Sequence, residues 1–412
     1  MQHVLLRLLQ HQHQRDLTES EPLPDNDRLP ARPWLPAWYR MSTMPPGTVR
    51  LDSLTRSFAL DHVPPALLQR LLPLLDGTRP VEDIRTRLAA HDADPATVDD
   101  LLRALHANGL LQDGPPAPTA LTAEEQEWWR QQADFFGHFS AASDSTLPAR
   151  PDVLPSGRHY QARLREAVVA VLGCGRLGSQ VARDLATSGV GELLCVDDGT
   201  VTEEAARADA WYDPGHRGRP AAEVVCELIG RTSPHCRAVP VGSGSWEELL
   251  DRCDAVVLAP DVFRPADHEA LNTAALSSRT PWTSCRTVGL EVLIGPTVLP
   301  GRSACWTCFD DRRRSHLTRH EEATLVEHIW GEADRPPPFL AVVPGLSLVT
   351  LEVVKLLTGF APATTVDGLL AVDVLSSTTT LHPVLRVPRC RSCGRPAQDR
   401  PALQVWDVEG VR

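Results

Sequence analysis

Two sets of residues in this sequence have the types and spacing to do chemistry. The first is a pair of CxxC knuckles, Cys305-Trp306-Thr307-Cys308 and Cys390-Arg391-Ser392-Cys393. Two intervening residues let both thiols of a knuckle reach one ion, and four thiolates complete the closed tetrahedral sphere of a structural zinc. A catalytic zinc keeps one position open, and no histidine or carboxylate is called for here. The alternatives are two unrelated pairs or a redox dithiol, which would usually stand near a βαβ strand. The second set is Gly173-Cys174-Gly175-Arg176-Leu177-Gly178, entered directly from the apolar run Val168–Leu172 and followed by Asp197 at the end of the next apolar run. Glycines there permit a tight turn and close backbone approach, a helix N-terminus favours phosphate, and an acidic side chain holds ribose hydroxyls. Gly173, Gly175, Gly178, Asp197 and Asp261 are the candidate nucleotide-site residues.

The elements that must position these groups alternate. Apolar strands at Val168–Leu172, Leu193–Val196, Ala238–Val241 and Ala255–Leu258 interleave with helical spacing at Leu177–Ser188, Ala221–Gly230 and Ala266–Ser277. That rhythm predicts a doubly wound α/β, Rossmann-like domain with a parallel sheet. Residues 286–299 read as further strands, 310–338 as a polar insertion, and Leu346–Leu357 as a last amphipathic helix. In front of this lies a smaller unit. Short β-rich runs at Thr48–Leu51 and Ser57–Leu60 precede helical patterns at Pro65–Leu75, Val81–Leu88 and Thr97–Ala107, which suggests a small winged-helix arrangement. Asp113-Gly114-Pro115-Pro116-Ala117-Pro118 is a linker, and 141–158 is a second loose stretch. The expected organisation is an N-terminal extension (1–39), the small domain (40–112), a linker and helix (113–158), and the α/β domain (159–412).

Bulk composition narrows the function. With 41 basic and 53 acidic residues the formal charge is −12, which argues against nucleic-acid binding as the main task. No apolar stretch approaches the ~20 residues of a membrane span, and the apolar start Met1–Leu9 lacks the cleavage site of a signal peptide. A cytoplasmic, membrane-free protein is expected. Six single cysteines (Cys174, Cys195, Cys226, Cys236, Cys253, Cys285) are expected to act as small buried hydrophobes.

From about Leu121 to Cys393 the chain resembles the family of ubiquitin-activating enzymes and the bacterial ThiF- and MoeB-type adenylating enzymes. The resemblance rests on the glycine loop with Ser179, Ser188-Gly189-Val190-Gly191, Val196-Asp197-Asp198, Gly218-Arg219-Pro220, Asp261, the two knuckles, Gly345, and Glu352-Val353-Val354-Lys355-Leu356-Leu357-Thr358-Gly359. It implies ATP·Mg²⁺ binding and adenylation of a C-terminal carboxylate. The departures point the other way. In the simplest register Ala205, Ala208 and Asp209 replace the family's triphosphate-binding Asn, Arg and Gln, although a one-residue slip would restore Arg207. Ala221 stands where the family carries its triphosphate lysine, Val262 replaces an Asn, and Lys355 is the only lysine in the chain. Glu203, Glu204 and Asp209 add charge that repels phosphates. The ATP site is therefore expected to be degenerate and ATP is not an expected cofactor, leaving structural Zn²⁺. A thioester-forming cysteine would be expected after the first knuckle, and 309–389 contain none.

Residues 42–112 resemble the PqqD-like precursor-peptide recognition element, through Val49-Arg50-Leu51, Ser57-Phe58-Ala59-Leu60, Leu74-Leu75-Asp76-Gly77-Thr78-Arg79-Pro80-Val81-Glu82-Asp83-Ile84 and Val98-Asp99-Asp100-Leu101-Leu102 to Leu111. The resemblance implies a leader peptide that adds as a strand and packs on the third helix. By that analogy Ser57, Phe58, Ala59 and Leu60 would offer the edge, and Asp99, Asp100, Arg103 and His106 would line the groove; Phe58 and Leu101 also read as core residues. The two resemblances together are those of the ThiF-like partner ("F-protein") of YcaO cyclodehydratases in thiopeptide-type pathways. The expected protein is a non-catalytic, homodimeric leader-peptide binder that presents a precursor peptide to a separate YcaO enzyme. The alternatives are an adenylating enzyme acting on a peptide or carrier-protein carboxylate, and a transcriptional regulator.

Overall fold

The alternating apolar runs assemble into one sheet because each is flanked by a helix that must bury an apolar face on it. In the structure, a computed structural model, the described residues are 29–36, 38–44, 48–53, 57–60, 63–114, 118–141, 151–208, 211–242, 244–288, 291–315 and 343–394. The chain divides into two compact units, Met1–Arg163 with Thr358–Pro362, and Leu164–Leu357 with Ala363–Arg412.

The first unit begins with β1 (Pro33–Trp34), β2 (Arg40–Met44), β3 (Thr48–Asp52) and β4 (Ser57–Leu60), and continues through α1 (Pro65–Leu71), α2 (Val81–Ala89), α3 (Pro95–Ala107) and β5 (Gln112–Asp113). Strands β2-β3-β4 form an antiparallel sheet with β4 at one edge, and β1 pairs with β5. Pro33–Trp34, assigned from sequence to the N-terminal extension, thus pairs with the end of the small fold. The helical reading over Pro65–Leu75 is broken in two: α1 gives way to a 3-10 turn at Leu72–Leu74, where Pro73 has no N–H for an α-helical bond. Helix α3 starts earlier than its apolar spacing suggests, with Asp94 accepting from Thr97 N at 3.1 Å and Pro95 in the first turn, the arrangement that satisfies orphan helix donors. Val49, Leu51, Leu68, Leu71, Ile84, Leu88, Leu102 and Leu105 are buried in one core. Two further helices, α4 (Ala123–Trp128) and α5 (Arg130–Gly137), precede α6 (Gly157–Glu166). Thr122 and Glu125 cap α4 reciprocally.

The second unit holds β6 (Val168–Leu172), α7 (Arg176–Thr187), β7 (Glu192–Val196), α8 (Glu203–Ala208), α9 (Ala221–Thr232), β8 (Arg237–Val241), α10 (Trp246–Leu250), β9 (Ala255–Leu258), α11 (Pro265–Ser278), β10 (Trp282–Val288), β11 (Glu291–Ile294), α12 (Trp306–Ser315), α13 (Val343–Thr358), β12 (Gly368–Asp373) and β13 (Thr378–Pro383). The sheet order is β13-β12-β11-β10-β9-β6-β7-β8, with β8, β7, β6, β9 and β10 parallel and the remainder antiparallel. Strand order reverses between β6 and β9, the topological switch point at which α/β sheets open a crevice beyond their carboxyl ends. Among the described residues no helix is long and apolar enough to cross a membrane. Most of the predicted polar insertion lies outside the described residues, its first part being helix α12.

Candidate functional site: the glycine loop, its cavity and the four-cysteine centre

Each glycine of the loop has its own physical reason. Gly173 adopts φ +94°, and an added Cβ would lie 2.7 Å from the Ala259 carbonyl oxygen, so only glycine suits this turn. At Gly178 a Cβ would lie 1.7 Å from the Gly173 carbonyl oxygen, which seats α7 directly on the loop. Gly175 has an ordinary negative φ of −74°, so its backbone does not demand glycine. Its Cβ would instead lie 2.3 Å from Asp261 Oδ2. The close approach made possible by Gly175 is therefore to the chain's own carboxylate.

That carboxylate covers the start of α7. Arg176 N donates to Asp261 Oδ2 at 2.9 Å and Leu177 N to Oδ1 at 3.1 Å. Asp197 does the same one step earlier, accepting from Cys174 N at 2.6 Å and Gly199 N at 2.7 Å. Three loop amides that could meet a phosphate thus end on carboxylates, which also occupy the positive end of the helix dipole. The Tyr212 hydroxyl, buried, donates to the Cys174 carbonyl.

Beyond the loop the cationic side chains are engaged on the surface. Glu203 holds Arg207 at 2.5 Å and Arg217 at 2.7 Å, and Arg219 holds Glu227 at 2.7 Å, which lowers the Glu227 carboxyl below its usual range. Ala205 and Ala221 are buried, and Ala221 opens α9 with its N–H on the Gly199 carbonyl. Asp209 lies outside the described residues, as does the side chain of Ala208.

A cavity of about 380 Å³ opens at the carboxyl ends of β6, β7, β8 and β9. Leu172, Val196, Val241, Leu249, Leu258 and Trp246 supply its apolar wall. Its charged lining is Asp197, Asp198, Glu248 and Asp267 against Arg252 and Arg264. This volume suits a base and ribose, while the excess of carboxylates opposes a polyphosphate. The part played by Tyr212, Trp246, Arg264 and Asp267 was not legible in the sequence, because nothing local marks side chains that meet only through the fold.

The four knuckle cysteines converge. Cys305 Sγ lies 3.8 Å from Cys308 Sγ and 3.6 Å from Cys390 Sγ, and Cys308 Sγ lies 3.5 Å from Cys393 Sγ; all four sulfurs fall within 4.8 Å of one another. Zn–S bonds of about 2.3 Å in a tetrahedron place sulfurs about 3.8 Å apart, so the donor set and spacing fit zinc. The Cys308 thiol, hydrogen-bonded with Cys305 and with the Val387 N–H 3.3 Å away, is drawn down to about 4, while the same bond pushes the Cys305 thiol well up and burial raises that of Cys393. A bound metal would require the thiolate at each. Cys305, Cys308 and Cys390 are buried with Trp306, Leu271 and Val384 in one core, a closed setting for a structural ion. Away from this centre, burial pushes the Cys285 and Cys236 thiols up to about 12 and that of Cys253 to about 11, values that keep thiols protonated and unreactive.

The residues assigned to a peptide groove separate by environment. Ser57–Leu60 form the edge strand β4, with Ala59 exposed, Leu60 buried, and Phe58 packed on the small core 6.3 Å from Tyr39 in an edge-on ring pair. On α3, Arg103 is exposed and pairs with Asp100 at 2.8 Å. His106 is half-buried with Nδ1 3.3 Å from the Leu111 carbonyl oxygen. Asp99 is drawn to Arg85 of α2 by two bonds of 2.7 and 3.0 Å, and Leu101 is a core residue.

Comparison with known proteins adds the following. The family model described as the ThiF family matches residues 150–393. The molybdopterin-synthase adenylyltransferase of Escherichia coli K12 is 25% identical over 243 residues, 57% of this chain and 90% of that protein. Protein HesA of Nostoc sp. PCC 7120 is 26% identical over 257 residues, 60% of this chain and 92% of that protein. Among solved structures, E. coli MccB matches with a TM-score of 0.61 at 15% identity, covering 88% of this chain and 99% of MccB. A further structure is of the microcin C7 biosynthetic enzyme MccB in complex with N-formylated MccA. PaaA matches with a TM-score of 0.61 at 19% identity, covering 85% of this chain and 99% of its own. Coverage of 88% exceeds the span of the family model, so the likeness of fold to MccB extends N-terminal to residue 150.

Proposed function

The chain belongs to the ThiF family, and from that premise we propose that it is a peptide-binding member whose own adenylation chemistry is lost. Its N-terminal unit would be a PqqD-like winged-helix element that takes a precursor's leader as an added strand on β4. The chain, homodimeric in this reading, would present the rest of the peptide to a separate YcaO cyclodehydratase for azoline or azole formation in thiopeptide-like biosynthesis. Zinc on the four cysteines would be structural.

The observation that carries this reading is buried Ala221, where the family's triphosphate lysine would stand, on a loop whose α7 amides are already taken by the retained Asp261. A nucleotide's phosphates would have to displace a carboxylate and would meet no lysine there. The likeness to MccB, solved in complex with N-formylated MccA, supports a peptide partner.

A second reading has a specific observation in its favour. The cavity retains the carboxylates Asp197 and Asp198 beside an apolar wall, and a 25% identical relative is an adenylyltransferase; that reading is ATP-dependent activation of a peptide or carrier-protein carboxylate. Two measurements separate them. A fluorescein-labelled precursor leader should bind the full chain without nucleotide, and Ala59→Pro, which removes a backbone N–H from edge strand β4, should weaken it at least tenfold, with thermal unfolding measured alongside as the control for folding. ATP–pyrophosphate exchange with the same precursor should stay at background. Robust exchange would overturn the partner-protein reading, and unchanged leader affinity in Ala59→Pro would overturn the placement on β4.

A further inference from the structure

Helix α11 turns one face toward both cysteine knuckles. His268 and Asn272, four residues apart and so on one side of the helix, are buried together with Leu271 and Ala275. The His268 ring lies 4.3 Å from that of Trp306 in the first knuckle. Asn272, only 1% exposed, makes two bonds with the same knuckle. Its Oδ1 accepts from Trp306 N at 3.0 Å, and its Nδ2 donates to Thr307 Oγ1 at 3.3 Å. The backbone N–H fixes the orientation of the amide, since only the oxygen can accept it. Thr307, itself buried, then meets Ser392 of the second knuckle with hydroxyl oxygens 2.7 Å apart. On the same helix Glu269 stands 3.6 Å from Arg391, also of the second knuckle.

Asn272, Thr307 and Ser392 lie outside the set of thiols, yet they connect its members. Trp306 opens α12, so its N–H is one of the orphan amides of a helix start, and Asn272 satisfies it from another helix. That bond holds the first turn, on which Cys308 stands. Thr307 lies in sequence between Cys305 and Cys308, and Ser392 between Cys390 and Cys393. The Thr307–Ser392 bond thus joins the middles of two loops 85 residues apart along the chain. An ion that gathers four thiolates from two independent loops must also order both loops, and that ordering weakens its binding. Side-chain bonds that order them beforehand remove part of the cost.

We propose that Asn272 is a positioning residue for the four-cysteine centre, acting through Thr307 and Ser392 to hold the two knuckles as one preformed pocket for zinc. The inference rests on the reading of that centre as a structural zinc, and it adds a determinant of affinity that the cysteine spacing does not contain. An amide suits the task because it offers an acceptor and a donor in one plane, and Trp306 N and Thr307 Oγ1 take one each. An apolar residue of similar size would leave the Trp306 N–H buried and unpaired, and the start of α12, with Cys308 on it, would shift to find a partner. The Thr307 hydroxyl is needed on both sides, as the acceptor for Asn272 and as the partner of Ser392. A valine there would keep the branched shape and break both bonds at once.

The test measures the zinc affinity of the full chain in titrations buffered with nitrilotriacetate and EGTA, with Zn²⁺ alone as the probe. Thr307→Val should weaken zinc by roughly tenfold or more, as loss of outer hydrogen bonds does at other metal sites, and Asn272→Leu should weaken it at least as much. Thr307→Ser keeps the hydroxyl and should restore the wild-type affinity. Cobalt(II) spectra should keep the bands of a tetrahedral four-thiolate site in every variant, since no ligand is removed. Val224→Ala, a truncation of a buried side chain on α9, is the control for stability lost elsewhere: it should lower Tm and leave zinc affinity unaltered. Unaltered affinity in Thr307→Val, equal weakening in Thr307→Ser, or equal weakening in Val224→Ala would each overturn the proposal. A wild-type chain that takes up no zinc would overturn the structural-zinc reading with it. Stoichiometric zinc in the wild type with unaltered affinity in Thr307→Val would count against this inference alone.

Discussion

Replacing Asp261 separates a retained scaffold from a working nucleotide site. Its carboxylate accepts from the first two amides of α7 at 2.9 and 3.1 Å, the work of an N-cap supplied from 84 residues away along the chain. Removing such an acceptor costs about 1 kcal/mol, and losing the negative charge at the dipole's positive end adds about 0.3–1 kcal/mol. Asp261→Ala should therefore destabilise the chain by about 2 kcal/mol, a fall of about 4–8 °C in Tm for a unit of this size. Asp261→Asn keeps one acceptor oxygen but loses the charge and turns an NH2 toward the second amide, since Arg176 N and Leu177 N use different oxygens, so it should cost more than half as much. Gly175 supplies an internal control. Its added methyl would lie 2.3 Å from Asp261 Oδ2, so Gly175→Ala should destabilise the wild type by dislodging the carboxylate. In the Asp261→Ala background it should cost little, giving a coupling of about 1 kcal/mol or more in the double-mutant cycle. Thermal and urea unfolding measure the stability, and equilibrium dialysis with ATP·Mg²⁺ measures the second readout, expected to show no binding in any variant. Tight ATP·Mg²⁺ binding by the wild type, lost in Asp261→Asn without loss of stability, would refute the reasoning.

Other outcomes follow from the same structure. Metal analysis of the chain purified without chelators should find one zinc per chain, and Cys308→Ser should lower zinc content and Tm together; structural zinc contributes on the order of 10 kcal/mol in small sites, so full stripping should unfold the second unit. His268 is buried, and its pKa falls to about 4 because burial disfavours the charged form. The unfolded chain therefore takes up the proton first, and stability should fall by about 3 kcal/mol as pH drops from about 6.5 to about 4, levelling off below. His268→Phe should flatten that segment of the pH–stability curve, and an unaltered slope in this variant would show that the titration belongs elsewhere.

The parallel core of the second unit was legible because buried parallel strands are continuous apolar runs and their crossover helices carry their own period. Strands β12 and β13 were not. Thr378–Pro383 is exposed at every position, so no alternation marks it, and only pairing with Gly368–Asp373 makes it a strand. The break at Pro73 was visible as a proline but was absorbed into a longer apolar pattern. Asp99 was read toward a groove, whereas the fold turns it to Arg85, a partner on another helix that periodicity does not reveal.

The sequence alone determined what depends on local geometry and on residue chemistry. A strand running into glycines must turn where only glycine tolerates φ +94°, and two CxxC knuckles offer the donors of one tetrahedral ion whatever the distance between them. Tertiary structure alone decided which anion meets the glycine loop. Asp261 comes from the far side of the sheet's reversal in strand order, and Gly175 makes room for it. It likewise decided that the Arg286 guanidinium rests over the ring of Phe263. Both are matters of where side chains distant in sequence come to rest, which packing settles and local preference does not.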